Sequence, residues 1–188
     1  MAGSSSPDGE GPHTVVHEIL KSNLPLADKA LPRVYEEVAT TIVAGFETTA
    51  SAMRLIVYHT FKDAEILRRL RAELTVATAT SLGGFDIKTL DQLPYLTSVI
   101  MEGIRLSPAI GSRMARIAPD RDLFYGEWRI PAGTPVGMTA ILMHTDEQLY
   151  PEPFRFNPDR WMDQEVRRKL EKTFAPFSRG TRMCAGMQ

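Results

Sequence analysis

Between residues 38 and 61 only two charged side chains, Glu47 and Arg54, interrupt a run of apolar and small residues. Ile42, Val43, Ala44, Phe46, Ala50, Met53, Leu55 and Ile56 fall on every face of a helix drawn through it. A helix apolar all round needs cover from other elements. Nothing breaks it from about residue 30 to residue 62, because Pro32 stands where a first turn tolerates proline. A short amphipathic stretch over 14–20 precedes it and is closed by Leu24-Pro25. Asp63 is a good N-cap for a second helix to about Val76, with Ile66, Leu67, Leu70 and Leu74 on one stripe. Gly83-Gly84 interrupts, and a third helix runs from Gln92 or Pro94 to Leu106, stopped before Pro108.

Beyond Pro108 the texture changes to short strands, predicted over 112–117, 123–130 and 134–140. Turns fall at Pro119-Asp120 and Pro131-Ala132-Gly133. Residues 149–161 carry three prolines and four aromatic anchors and read as an ordered irregular coil. A short charged helix over 163–172 leads to a terminal loop. The fold class is therefore mainly α with a small β-sheet. Residues 1–12 are Gly, Ser, Pro and acid, so 1–23 is expected as a flexible N-terminal segment ahead of a domain over 24–188. The elements around 38–61 can hardly cover it, and exposed apolar surface is expected there.

Composition narrows the classes. Twenty-two Lys and Arg against 23 Asp and Glu leave a net charge of −1, which argues against a nucleic-acid partner. The basic cluster Arg68, Arg69 and Arg71 reads as a solvated helix face. One cysteine, Cys184, excludes an internal disulfide and suits a reducing, intracellular compartment. No apolar run approaches the roughly 18 residues of a membrane span, so no anchor is read in the chain. His13 and His17 are four apart but lack a third ligand nearby; His59 and His144 stand isolated.

The chemistry concentrates in Phe177-Ser178-Arg179-Gly180-Thr181-Arg182-Met183-Cys184-Ala185-Gly186. A glycine-bent loop presents a cysteine where another helix starts, and both the helix start and the two arginines favour thiolate. Such a sulfur ligates a metal, acts as a nucleophile, or is a small buried hydrophobe. Inside the apolar helix, Gly45-Phe46-Glu47-Thr48 sets an acid beside a hydroxyl, the equipment of a proton relay. The plainer alternative pairs Glu47 with an arginine and lets the threonine bond back to the preceding turn. Glu102 and Arg105 share a helix face and predict an ion pair. The same spacing recurs at Glu65 and Arg68, Glu152 and Arg155, and Glu165 and Arg168, the Glu152 pair lying in coil where the helical reason lapses.

Phe177, Gly180, Arg182, Cys184 and Gly186 match the haem-binding loop of the cytochrome P450 family, a match expected by chance in about one chain in ten thousand. The chain resembles microsomal-type members of fungal secondary metabolism, through Phe156-Asn157-Pro158-Asp159-Arg160-Trp161 and Ile130-Pro131-Ala132-Gly133-Thr134. The resemblance implies a partial P450 fold from the long central helix to the cysteine loop, truncated at both ends. It implies haem b (iron protoporphyrin IX) with Cys184 as axial ligand of the iron, Arg182 on a propionate, Phe177 shielding the sulfur, and Gly180 and Gly186 easing close approach. It implies Glu47 and Thr48 as proton carriers, Gly45 as the opening of an oxygen groove, and a structural network of Glu102, Arg105 and Arg160. The implied activity is a monooxygenase using dioxygen, a lipophilic small molecule and an NADPH-dependent flavoprotein reductase, on the endoplasmic reticulum membrane as in the family. Two other readings stay open on the sequence: an inactive remnant that holds haem weakly or awaits an N-terminal half, and a thiol enzyme using Cys184 as nucleophile.

Overall fold

A computed structural model describes residues 14–79, 86–107 and 110–187. Residues 1–13, the Gly83-Gly84 break and Pro108 lie outside the described residues. The chain divides into two compact units, one running through Glu47 and one from Thr48 onward.

In the first unit, Thr14 caps α1 (Val15–Lys21) by accepting the His17 N–H at 3.2 Å. The Lys29 ammonium then closes its C-terminal end on the carbonyls of Leu20 (3.0 Å) and Ser22. Helix α2 (Leu31–Lys62) begins where Val34 N–H reaches the Ala30 carbonyl at 3.0 Å. Pro32 lies in the first turn, where a missing N–H costs nothing. The helix continues into the second unit.

There α2 stops because Asp63 turns its side chain onto the next helix. Asp63 Oδ1 accepts the N–H groups of Glu65 (2.9 Å) and Ile66 (3.3 Å), capping α3 (Ala64–Ala79). One element unforeseen in the sequence follows, the single turn α4 (Ile87–Asp91). Helix α5 (Pro94–Leu106) has proline at its first turn and no side-chain cap of its own. Glu73 of α3 supplies one: its carboxylate accepts the N–H groups of Tyr95 and Leu96, each at 2.8 Å. Positions 95, 98, 99, 102, 103 and 105 of α5 are buried, a helical stripe that carries a serine, a glutamate and an arginine among the apolar residues.

The molecule is mainly helical with one small antiparallel sheet among the described residues. The sheet is less extensive than the pattern predicts. Residues 123–130 form a hairpin, β1 (Leu123–Tyr125) on β2 (Trp128–Ile130), because Gly126 takes φ +56° and turns the chain. Segments 112–117 and 134–140 meet only at an isolated bridge between Arg116 and Val136. Pro135, beside that bridge, has no N–H to extend a ladder. Ala140 begins a helical turn, α6 (Ala140–His144), rather than ending a strand. The coil that follows is ordered by side chains closing on its own backbone: Asp146 accepts from Gln148 N–H at 2.8 Å and Asn157 from Asp159 N–H at 3.2 Å. A 3-10 turn at Pro158–Trp161 and α7 (Gln164–Leu170) complete it.

Two small cores organise this unit. Ile66, Tyr95, Val99 and Phe156 form one, with Leu55, Ile56, Leu70 and Leu106 packed against it. Tyr150, Trp161 and Leu170 form the other, joined by Met101, Leu149 and Phe174. Helix α5 serves both. Gly103 is what allows it to lie against α2, since a Cβ there would come within 2.0 Å of Ile56 Cγ1. Along α2 itself Ile42, Val43, Phe46, Met53, Val57 and Phe61 are each more than half exposed.

Candidate functional site

Glu102 and Arg105 are both fully buried side chains, joined by two hydrogen bonds of 2.8 and 2.9 Å. The coil then closes on the same carboxylate from the other side. Arg160 Nε donates to Oε1 at 3.0 Å, Asn157 N–H to Oε1 at 2.9 Å, and the Trp161 indole N–H to Oε2 at 2.9 Å. Burial alone would raise the Glu102 carboxyl, but Arg105, the Asn157 N–H and Arg160 outweigh it and hold the group below the usual carboxylate range. The two arginines spend their remaining donors on backbone carbonyls, at the end of α6 and in the coil. Arg105 reaches His144 O at 2.6 Å, and Arg160 reaches Pro151 O at 3.1 Å. Glu152, whose carbonyl also faces Arg160 at 3.4 Å, takes φ +51° to bend the coil around that guanidinium.

The other pairs of like spacing are solvated. Glu65 and Arg68 pair at 2.6 Å and Glu152 and Arg155 at 3.2 Å, all four side chains well over half exposed, while Glu165 and Arg168 are exposed and form no ion pair with each other. The Glu152 pair forms although it lies in coil, because a turn, with Arg155 N–H on Glu152 O at 3.0 Å, replaces the helix. Nor is Arg69 simply a solvated residue. It bonds Asp159 of the coil at 2.8 Å and lies over the Tyr95 ring at 4.1 Å.

The Cys184 loop follows α7. Ser178 (φ +62°) and Gly180 (φ +81°) are both left-handed, so the bend rests on a serine as well as on the glycine. Phe177 carbonyl accepts the Cys184 N–H at 2.9 Å and closes the loop. The thiol is exposed. Gly186 leaves the sulfur's flank clear, its missing Cβ lying 3.8 Å from Sγ. Arg182 is exposed, and among the described residues no hydrogen bond or ion pair engages it. Arg179, by contrast, is spent on α7: its guanidinium donates to the carbonyls of Glu171 (2.7 Å) and Phe174 (3.4 Å). A single 3-10 turn, Ala185–Met187, follows the cysteine. The loop borders an open concavity of about 450 Å³ lined by Phe174, Phe177, Gly180, Met183 and Met187 among others.

On α2, Gly45 and Glu47 are exposed and Thr48 is half-buried; a Cβ on Gly45 would meet nothing within 4 Å. Thus Glu102, Arg105 and Arg160 meet in one cluster, while Phe177, Gly180, Arg182, Cys184 and Gly186 share one loop. Three members of this region were given no role by the sequence. Trp161 donates to Glu102, Asn157 does so through its backbone, and His144, buried, bonds both Arg105 and the loop residue Ala175.

A protein-family comparison matches residues 30–188 to the description Cytochrome P450. This chain belongs to the cytochrome P450 family. Among curated proteins it is 40% identical over 175 residues to a cytochrome P450 monooxygenase of Ascocoryne sarcoides, covering 93% of this chain and 34% of that protein. It is 42% identical over 180 residues to an N-acetyltryptophan 6-hydroxylase of Emericella nidulans (94% and 35%). It is 41% identical over 174 residues to a tryptophan 6-hydroxylase of Fusarium equiseti (92% and 34%). The chain therefore spans about a third of the length of these relatives. Among the described residues no helix of this P450 chain is long and apolar enough to cross a membrane.

Proposed function

We propose that this chain carries the cysteine side of a haem-thiolate monooxygenase acting on a small lipophilic molecule. The observation that best supports this is the Cys184 loop, closed by the cysteine's own N–H, with its thiol exposed and its other residues lining an apolar concavity. The donor set fits haem b. Cys184 Sγ would ligate the iron, and Arg182, exposed and unengaged among the described residues, would take a propionate. Bound there, haem supplies the redox centre at which one atom of dioxygen enters the substrate, with electrons from an NADPH-dependent flavoprotein reductase.

The chain's own residues have separate tasks. The Cys184 sulfur, as a thiolate ligand, would donate electron density to a bound iron, and the neighbouring Phe177 would tune its exposure to water. On α2 the Glu47 carboxylate and Thr48 Oγ1 hold and pass protons. Gly45 leaves the helix backbone bare next to them. Glu102, Arg105 and Arg160 are positioning residues, fixing the coil ahead of the loop. Tryptophan derivatives, which two relatives carry in their names, are the first substrates to assay.

The test is the spectrum of the reduced chain, reconstituted with haem, under carbon monoxide. The expected outcome is the red-shifted Soret band of thiolate ligation, lost in Cys184→Ala. A band that survives Cys184→Ala overturns the ligand assignment. The exposed apolar side chains of α2 favour a second reading, a family member that holds haem weakly or not at all. A wild-type chain without the band decides for that second reading.

A further inference from the structure

His144 has no motif around it, yet it is the residue where two networks meet. It ends α6 and is only 3% exposed. Its backbone carbonyl accepts Arg105 Nη1 at 2.6 Å, and its ring Nε2 accepts the Ala175 N–H at 3.1 Å. The ring is held by Phe174, stacked at 5.5 Å between centroids, and by the edge of Tyr150 at 6.1 Å. From Ala175 the bonding continues to the backbone of Cys184. The Ala175 carbonyl accepts Ser178 N–H at 3.1 Å, and the Phe177 carbonyl accepts Cys184 N–H at 2.9 Å.

We propose that His144 is a positioning residue for Cys184, transmitting the order of the buried Glu102–Arg105 pair to the cysteine loop through the Ala175 N–H. The role needs an acceptor at Nε2. An imidazolium carries only donors and would turn an N–H against another N–H, with the Arg105 guanidinium close by. Burial pushes the imidazole down to about 4, so the acceptor form is the one present at neutral pH. A flat buried ring with one lone pair suits both demands: it stacks on Phe174 while bonding the backbone beyond it. The geometry stands by itself; only its consequence for ligand binding rests on reading Cys184 as the working group.

Amide hydrogen exchange on the full chain, without haem, tests this residue by residue. His144→Phe keeps the stacking and removes the acceptor. It should speed exchange at Ala175 and at Cys184 by about tenfold, with Val99 unchanged. His144→Gln restores a carbonyl acceptor and should bring both amides back to within about twofold of wild type. The proposal is overturned if Cys184 exchange in His144→Phe equals wild type, or if the Gln variant behaves as the Phe variant does. Should His144→Phe fail to fold, wild-type protection at Cys184 in His144→Gln supports the proposal and its loss overturns it. With haem added, His144→Phe should lower the fraction of chains giving the thiolate band and His144→Gln recover it. A wild-type chain lacking that band sinks the haem reading while leaving the exchange test intact.

Discussion

At the scale of single residues the Glu102 carboxylate has the most at stake. It accepts five hydrogen bonds, two from Arg105 and one each from Asn157, Arg160 and Trp161. Glu102→Gln would leave two guanidinium groups without their counter-charge, one fully buried and the other nearly so. A loss of about 3–5 kcal/mol is expected in denaturant unfolding. Trp161→Phe removes one donor from an oxygen that keeps Arg105, so about 1–2 kcal/mol is expected. Equal losses for the two would contradict the division of labour seen here. Some of this was legible in the sequence. The glutamate–arginine spacing occurs four times; the family resemblance singled out Glu102 with Arg105 and Arg160, and the structure adds its place on the buried stripe of α5. The Trp161 and His144 contacts were not legible, because a backbone acceptor or a distant carboxylate leaves no mark near the residue that uses it. Arg179 is the same case: its acceptors are carbonyls, which every residue has.

At the scale of elements, α5 is placed by two residues that do no chemistry. Gly103 admits Ile56, so Gly103→Ala should cost about 1–3 kcal/mol. Ile56→Ala in the same chain should make the glycine change nearly free, and a double-mutant cycle measures that coupling. Glu73 closes the N-terminal end of α5 from another helix, and Glu73→Ala should destabilise by about 1–2 kcal/mol in the same assay. Long helices were readable from the run of apolar residues and from the Asp63 cap. The small sheet was readable over 123–130 but its extent was not, because proline and glycine fixed where pairing ends, and β-propensity alone does not see that.

At the scale of the whole molecule, acidity and apolar surface set the behaviour. His144 titrates near 6.5 when unfolded and at about 4 when folded, so below 6.5 only the unfolded chain takes up its proton. Stability should fall as pH drops from about 6.5 to about 4 and then level off for this group. Glu102, held low in the fold, adds a loss that begins as pH falls into the ordinary carboxylate range and continues below it. Denaturant midpoints across this range should lose the upper limb in His144→Gln and keep the lower one. Phe46, Met53 and Val57 expose apolar area along α2, so the chain should bind an apolar dye. Phe46→Glu with Val57→Glu should cut that signal without lowering helicity; unchanged dye binding would locate the surface elsewhere. The Glu102 cluster also has a consequence in time. Its coil partners Asn157, Arg160 and Trp161 lie 55, 58 and 59 residues downstream. At about 5–20 residues per second on the ribosome, α5 waits roughly 3–12 s with its carboxylate in water, answered only by Arg105. The coil settles next, and the sulfur's loop, hung from Ala175, is fixed only after it, so whatever that loop captures is captured once the buried cluster has closed.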